Sequence, residues 1–331
     1  MNSFGKNFRV QILGQSHGEY VGVVLDGCPP GIKLDVADFI EDIERRKPGA
    51  KGTTPRKEDD IPEIISGVFN GRSTGSPITI LFKNSNTRSA DYEKLRAVPR
   101  PGHADFVASK KFKGFEDYRG GGHFSGRLTV ALVAAGVVAK KIITSFSGEK
   151  KIDIEANILE IGGERDLEKG LQKAVDAKDS VGGLLQCRVN NLPIGLGEPF
   201  FDSAESLISH VVFSIPAVKG IEFGAGFAAA KMFGLEHNDA LLDADGTTRT
   251  NHAGGIVGGI TNGNELIFRV VVKPTSSTPK EQNTLNITSG EVEAFSVKGR
   301  HDLCIALRVP VILEAVTAMV IADLLMENQM R

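Results

Sequence analysis

The chain has 331 residues, 41% of them hydrophobic, with 38 Gly, three Tyr and no Trp, enough to bury a sizeable core. Basic and acidic residues nearly balance, 39 against 41 for a formal charge of −2, which excludes a global pull toward nucleic acid or an anionic membrane surface. MNSFGKNFRV lacks the charged-then-apolar pattern of a secretion signal, and no uncharged apolar run approaches the ~20 residues that span a bilayer. The three cysteines, Cys28, Cys187 and Cys304, lie far apart without CxxC spacing, so a cytoplasmic protein with reduced, buried thiols is expected.

In chain order, LGQSHGEYVGVV sets Ser16 and His17 in a glycine turn before an apolar run. EYVGVVLDGCPPGIKLD reads as a strand closed by a Pro-Gly turn. DVADFIEDIERRK follows with Val36, Phe39, Ile40 and Ile43 at helical spacing and Asp35 as N-cap. EIISGVFNGRSTGSPITILFKN reads as two strands around Asn70-Gly71, the dipeptide suited to a type I′ hairpin. A long loop ends in DYRGGGHFSGR and enters the apolar helix LTVALVAAGVVAKKI.

The second half repeats this order. GGLLQCRVNNLPIGLGEP is again a strand and a Pro/Gly turn. SAESLISHVVFSI carries Leu207, Ile208, Val211 and Val212 on one face behind a Ser203 cap. GGIVGGITNGNELIFRVVVKPT gives a second hairpin turning at Asn262-Gly263, and VKGRHDLC runs into another nearly continuous apolar helix. The reading is a pseudo-twofold of two βαββα-like units in one α+β domain spanning 1–331, with antiparallel sheets and helices stacked in layers rather than doubly wound.

Basic residues recur at loop and element ends: Arg45, Arg46, Lys51, Arg88, Arg100, Arg119, Arg127, Lys273 and Arg300. Guanidinium forks and glycine turns with unpaired N–H groups both suit carboxylates and phosphates, so such loops converging would hold a small, highly anionic molecule. GGGHFSGR, ahead of its helix, is the strongest anion-site candidate. Four of the seven histidines lie in Gly-rich or basic loops, GQSHG, RPGHAD, GGGHFSGR and GRHD, and none has metal spacing. His210 and His237 read as structural, and His252 is left open. Gly224-x-Gly226-x-x-Ala229 with Asp243 or Asp245 imitates a dinucleotide fingerprint, but a tight turn explains its glycines. No GxSxG, Walker A or HExxH sequence is present to anchor a hydrolase or kinase reading.

Together GQSHG, DGCPPG, RRKPG, RPGHAD, DYRGGG, TNHAGGIVGGITNG, KPTSS and GRHDLC resemble the chorismate synthase family, in its order, from about residue 5 to 325. The resemblance implies a layered β-α-β sandwich, a homotetramer, and a lyase of the shikimate pathway. Its reaction would be anti-1,4-elimination of phosphate from 5-enolpyruvylshikimate 3-phosphate to chorismate, needing reduced FMN with no net redox change. Catalysis would fall to His17, donating a proton to the departing phosphate, to His103 beside the flavin, and to Ser16 and Asp302, tuning proton removal. Arg45, Arg100, Arg127 and Arg300 would hold substrate anions. Flavin contacts would fall on His123, Phe124, Ser125, Gly258, Lys273, Pro274, Thr275, Ser276, Ser277 and Arg300. Arg46 and Lys51 match positions for NADPH, a reductant in some members. The chain reads Gln15 where many members have Glu, His123-Phe124-Ser125 where Arg-Ser-Ser is common, and Lys51 in place of Arg.

Two other classes compete: a flavin or NADPH oxidoreductase, marked by net hydride transfer, and a non-catalytic phosphate-ligand binding protein, marked by binding without phosphate release. A small-molecule substrate is expected in every case, with no nucleic acid, membrane or metal partner. The polar stretch GAKGTTPRKEDD, 49–60, is expected to be mobile without ligand.

Overall fold

A computed structural model describes residues 2–49, 51–54, 58–86, 95–148, 150–297 and 301–329. The first half builds β1 (Ser3–Phe4), β2 (Arg9–Gly14), β3 (Tyr20–Asp26), α1 (Ile40–Arg46), β4 (Glu63–Ser66), β5 (Val68–Phe69), β6 (Arg72–Ser73), β7 (Ile78–Lys83), α2 (Asp105–Phe112) and α3 (Thr129–Phe146). The second builds β8 (Asp153–Ile161), α4 (Leu167–Ala177), β9 (Gly183–Asn190), α5 (Ala204–Val212), β10 (Val218–Phe223), α6 (Gly234–His237), β11 (Ile256–Val257), β12 (Ile260–Thr261), β13 (Leu266–Val272), β14 (Gln282–Leu285), β15 (Val292–Phe295) and α7 (Pro310–Gln329).

The two larger sheets are antiparallel, ordered β1-β2-β3-β7-β4 and β10-β13-β9-β8, beside the hairpins β5-β6, β11-β12 and β14-β15. Alternation fixes which face of each is apolar: Val21, Val23 and Leu25 with Ile78, Ile80 and Phe82 on the first, Leu185, Cys187 and Val189 with Phe268 and Val270 on the second, all buried. Helices fill the space between. α3 packs on β3 and β7, α7 on β8 and β9, and α1 and α5 flank them. Neither central helix has an exposed face over most of its length, because each is covered by a sheet on one side and by the other helix on the next. They approach so closely that a Cβ on Gly136 would overlap Ala315. The segment Gly126–Phe146 is long and apolar enough to cross a membrane, yet 78% of it is buried inside this fold, as befits a core helix. The layered α+β architecture expected from the sequence is the one found.

Local signals behave as their chemistry dictates. Asp35 caps its helix, accepting from Ala37 N at 3.0 Å while Asp38 accepts from Asp35 N at 2.7 Å, and Ser203 accepts from Ser206 N at 3.1 Å. Asn70 and Gly71, at φ 49 and 70, turn the β5–β6 hairpin. All three cysteines are free and buried, and burial pushes the Cys187 thiol up to about 12.

The second hairpin differs from expectation. Its tight turn is Gly258-Gly259, at φ 63 and 90, joining β11 to β12; Asn262-Gly263 only leads into β13. Two successive glycines meet the double positive-φ requirement of such a turn without strain. β13 pairs instead with β9 and β10, where its alternating apolar side chains reach the core. The dinucleotide-like glycines after β10 form a tight turn on an antiparallel strand, with Gly224 and Gly226 both at φ 54. Of the stretch expected to be mobile, residues 50 and 55–57 lie outside the described residues, as does Arg88; Asp60 is buried.

Candidate active site

The loops that lead into α3 and α7 open onto one cleft of about 550 Å³. Arg46, Arg100, His103, His123, Phe124, Ser125, Arg127, Lys273, Pro274, Thr275, Ser276, Ser277 and Asp302 all line it. Ser16 and His17 do not line it but pack against Gly120, which does: a Cβ on Gly120 would lie 2.8 Å from Ser16 Oγ and 2.6 Å from His17 Nε2. Both side chains are buried.

The glycine run explains how two loops come this close. Gly120, Gly121 and Gly122 take φ 61, 80 and 53 in succession, a path L-residues rarely follow. Ser16 N then donates to Gly122 O at 3.0 Å. His123 bridges outward, with Nδ1 2.8 Å from Gly14 O and Nε2 3.1 Å from Asn2 Oδ1. Both nitrogens of that ring clamp backbone and side chain, so its imidazole braces the His17 loop.

A buried arginine cluster forms the floor. Arg46 Nε donates to Thr129 Oγ1 at 2.9 Å, its Nη1 to Asp60 at 3.2 Å, and its Nη2 to Gly126 O and Arg127 O at 3.1 Å. Arg127 pairs with the other oxygen of Asp60 and donates from Nε to Asn84 Oδ1 at 2.9 Å; Asn84 in turn donates to Gly18 O at 2.7 Å. Arg308 donates to Arg46 O at 3.0 Å and sits 3.4 Å from Asp302 Oδ2, whose Oδ1 accepts from Thr54 N at 2.8 Å. Burial, with Arg308 and Arg127 nearby, lowers the Arg46 guanidinium to about 9, still cationic at neutral pH. Burial, with Lys219 nearby, likewise lowers Lys273, which donates to Gly102 O at 3.0 Å and Ser276 Oγ at 2.7 Å. Cations crowded into a desolvated floor favour an anionic ligand.

On the opposite wall Arg100, His103 and Asp105 interlock. Asp105 Oδ2 accepts from Arg100 Nε at 2.7 Å, and Oδ1 from Arg100 Nη2 at 2.8 Å; His103 Nδ1 lies 2.6 Å from Oδ1. Burial would raise the Asp105 carboxyl, but hydrogen bonds from Arg100 and His103 outweigh it and hold the group well below the usual carboxylate range.

Besides Ser16 and His17, three expected contacts do not line the cleft. Arg45, one helix step from Arg46, points elsewhere: its Nη1 and Nη2 each meet Glu314 at 2.7 Å, in a cluster with Asp42 and Lys140. Lys51 is exposed and meets Gln172 Oε1 at 3.4 Å, and Gly258 sits at the tip of the β11–β12 turn. Arg300 lies outside the described residues. The sequence reading missed Asp60, Asp105, Arg308 and the lining pair Pro216-Ala217. Asp105 alone carried a signal, standing two residues after His103 in a quoted block. Ala217, at φ 72, is a non-glycine bent into the left-handed region at the cleft wall.

Fold and cleft together define a layered α+β protein whose basic cleft, with histidines on its walls, suits a small polyanion. The sequence model of the chorismate synthase family matches residues 8–326. A chorismate synthase of Chitinophaga pinensis is 70% identical over 99% of this chain and 98% of its own length, and one of Dehalococcoides mccartyi is 43% identical over 98% and 96%. A solved structure described as a crystal structure of chorismate synthase superposes with a TM-score of 0.74 at 25% identity, covering 98% of this chain and 93% of that one. The chain belongs to the chorismate synthase family, carbon–oxygen lyases of the shikimate route to aromatic compounds.

Proposed function

We propose that this chain eliminates phosphate, anti-1,4, from 5-enolpyruvylshikimate 3-phosphate to give chorismate, with reduced FMN as cofactor. The observation that carries this reading is the convergence on one cleft of His103, His123 and the buried arginine floor, from loops of both halves, with His17 packed against Gly120 of the cleft wall. The substrate's two carboxylates and phosphate match a floor where, among the described residues, the carboxylates paired with Arg46, Arg127 and Arg308 are Asp60 and Asp302. Reduced FMN, when bound, supplies an electron-rich ring that lets the C–O bond break without net redox change. His123, Phe124, Ser125 and Lys273 to Ser277 would hold it, and Thr275 supports the fit: its Oγ1 is buried with no hydrogen-bond partner among the described residues, a hydroxyl awaiting a ligand.

His17 gives its proton to the departing phosphate, so that the leaving group carries less charge. His103, on the cleft wall, would balance the charge of the bound flavin. Ser16 and Asp302 tune the removal of the C6 proton. Arg100 and Arg127 hold the anions in reacting distance, the role also read for Arg300, which lies outside the described residues. NADPH is the reductant read for Arg46 and Lys51. Arg45 serves the fold rather than the substrate.

The enzyme is read as a cytoplasmic homotetramer. Phe201 and Leu235 are 92% exposed, Phe200 87% and Phe227 81%, an apolar burden that a second copy would cover. Gly258, at the tip of the β11–β12 turn beside exposed Val257, keeps its reading as a flavin contact. The deciding experiment mixes protein, chemically reduced FMN and 5-enolpyruvylshikimate 3-phosphate anaerobically and follows phosphate and chorismate. Binding without product would sink the assignment. Sedimentation of the Leu235→Asp variant tests the assembly, which is expected to dissociate.

A further inference from the structure

We propose that Asp105 is a positioning residue for His103, fixing the imidazole proton on Nδ1 and turning Nε2 toward the cleft. The inference rests on the reading of His103 as a cleft residue that faces the bound ligands.

Two groups compete for His103 Nδ1. Asp105 Oδ1 is 2.6 Å away and Arg100 Nη2 is 3.1 Å away. Arginine can only donate, so if it governed the ring, Nδ1 would be the acceptor and the proton would sit on Nε2. An ionised carboxylate can only accept, so its contact at 2.6 Å requires a proton on Nδ1. Geometry favours the carboxylate. The Asp105 contact is the shorter, while the two Arg100 nitrogens nearest Asp105 are already matched to its oxygens at 2.7 and 2.8 Å. Arg100 thereby keeps the carboxyl ionised, and the hydrogen shared with His103 belongs to the ring.

Asp105 is well placed to hold that geometry. It opens α2, its side chain is 13% exposed, and its Oδ2 also accepts from Arg100 N at 3.2 Å, so the carboxylate is anchored on both oxygens. Across the ring, Gly121 leaves room: a Cβ there would lie 3.3 Å from His103 Cε1 and 3.5 Å from Nε2. The Nε2 edge therefore looks toward the glycine run that also borders His17. A histidine so held presents one defined nitrogen to a ligand, in the manner of the aspartate behind the histidine of a catalytic triad.

The test reads the tautomer directly. Long-range proton–nitrogen spectra of the full chain labelled with ¹⁵N-histidine, recorded where the imidazoles are neutral and assigned with His103→Gln, report which ring nitrogen carries the proton. In the wild type His103 is expected to be protonated on Nδ1. In Asp105→Asn, a near-isosteric change whose amide can donate to Nδ1, the proton is expected to move to Nε2. A wild-type His103 protonated on Nε2, or a tautomer unchanged in Asp105→Asn, overturns the proposal; the wild-type spectrum decides alone should the variant fail to fold. Kinetically, Asp105→Asn is expected to lower kcat roughly 10- to 10⁴-fold with KM unchanged, Asp105→Glu to restore part of it, and Asp105→Asn in a His103→Ala background to add nothing. A rise in KM at unchanged kcat would assign the carboxylate to Arg100 instead. Absence of chorismate formation by the wild type would sink the functional reading and leave the tautomer result standing.

Discussion

Replacing Gly120 with alanine tests whether the glycine run sets the position of His17. The added Cβ would lie 2.5 Å from His17 Cδ2, 2.6 Å from Nε2 and 2.8 Å from Ser16 Oγ. Heavy atoms pack at about 3.5–4.0 Å, so the ring must retreat by roughly 1 Å. Misplacement on that scale costs on the order of 10²-fold in turnover. The stability cost is smaller in consequence. Holding alanine at φ 61 costs about 1–2 kcal/mol and the crowding about 1–3 kcal/mol, within the roughly 5–15 kcal/mol that keeps a domain folded. Gly120→Ala is therefore expected to stay folded by circular dichroism, melt a few degrees lower, and release phosphate from 5-enolpyruvylshikimate 3-phosphate about 10²-fold more slowly. Gly148→Ala, where the added Cβ meets nothing within 4 Å, is the control and should change neither quantity. Wild-type turnover in folded Gly120→Ala would refute the claim that close approach at this glycine places His17 for catalysis.

His17→Ala and His103→Ala are each expected to slow chorismate formation roughly 10- to 10⁴-fold at unchanged melting temperature, the range for lost acid/base help. Two such variants at full rate would remove both catalytic assignments. Asp323 accepts from the backbone N–H groups of Lys6, Asn7 and Phe8 at 3.0, 2.6 and 2.8 Å, so Asp323→Ala should cost about 2–4 kcal/mol in urea unfolding by leaving donors without their acceptor. Acid titration supplies a further check. Hydrogen bonds from Arg100 and His103 outweigh burial and depress the folded-state pKa of Asp105, so its stabilisation is present above the unfolded carboxylate value of about 3.9 and disappears as pH falls below it. Unfolding free energy should fall on acidification below about pH 4, and Asp105→Asn should flatten that fall; an equally steep profile would count against the ion pair.

What the sequence disclosed followed its range. Caps such as Asp35 and Ser203, the Asn70-Gly71 turn and the all-round apolar character of α3 and α7 depend on neighbours a few residues away, and all were legible. The strand β8 and helix α4 were not read, although Ile154, Ala156 and Ile158 alternate with polar residues along the one and the other is amphipathic and buries Leu171 and Ala174. The shifted second hairpin was a contest between two turn signals, and only the demand of β13 for core contacts on both edges decides it. At the site, glycine, histidine and arginine blocks pointed to a common cleft, but sequence could not separate Arg45 from Arg46. Adjacent residues on a helix face about 100° apart, and one meets Glu314 while the other meets Asp60. Asp60 and Arg308 carried no mark in sequence, since each takes its place through a distant partner, Arg127 at 67 residues and Arg46 at 262.

The overlap that forbids a side chain at Gly136 has a consequence for how the chain could be divided. α3 and α7 meet there backbone to side chain, each supplying the surface that completes the other's burial. Cut between the halves near residue 148, where the chain leaves α3, either fragment would retain its own sheet but expose a helix apolar on every side. Such fragments have reason to recombine and little reason to persist alone. The enzyme is thus suited to split-protein complementation, with docking of one long helix on the other as the event that restores the cleft.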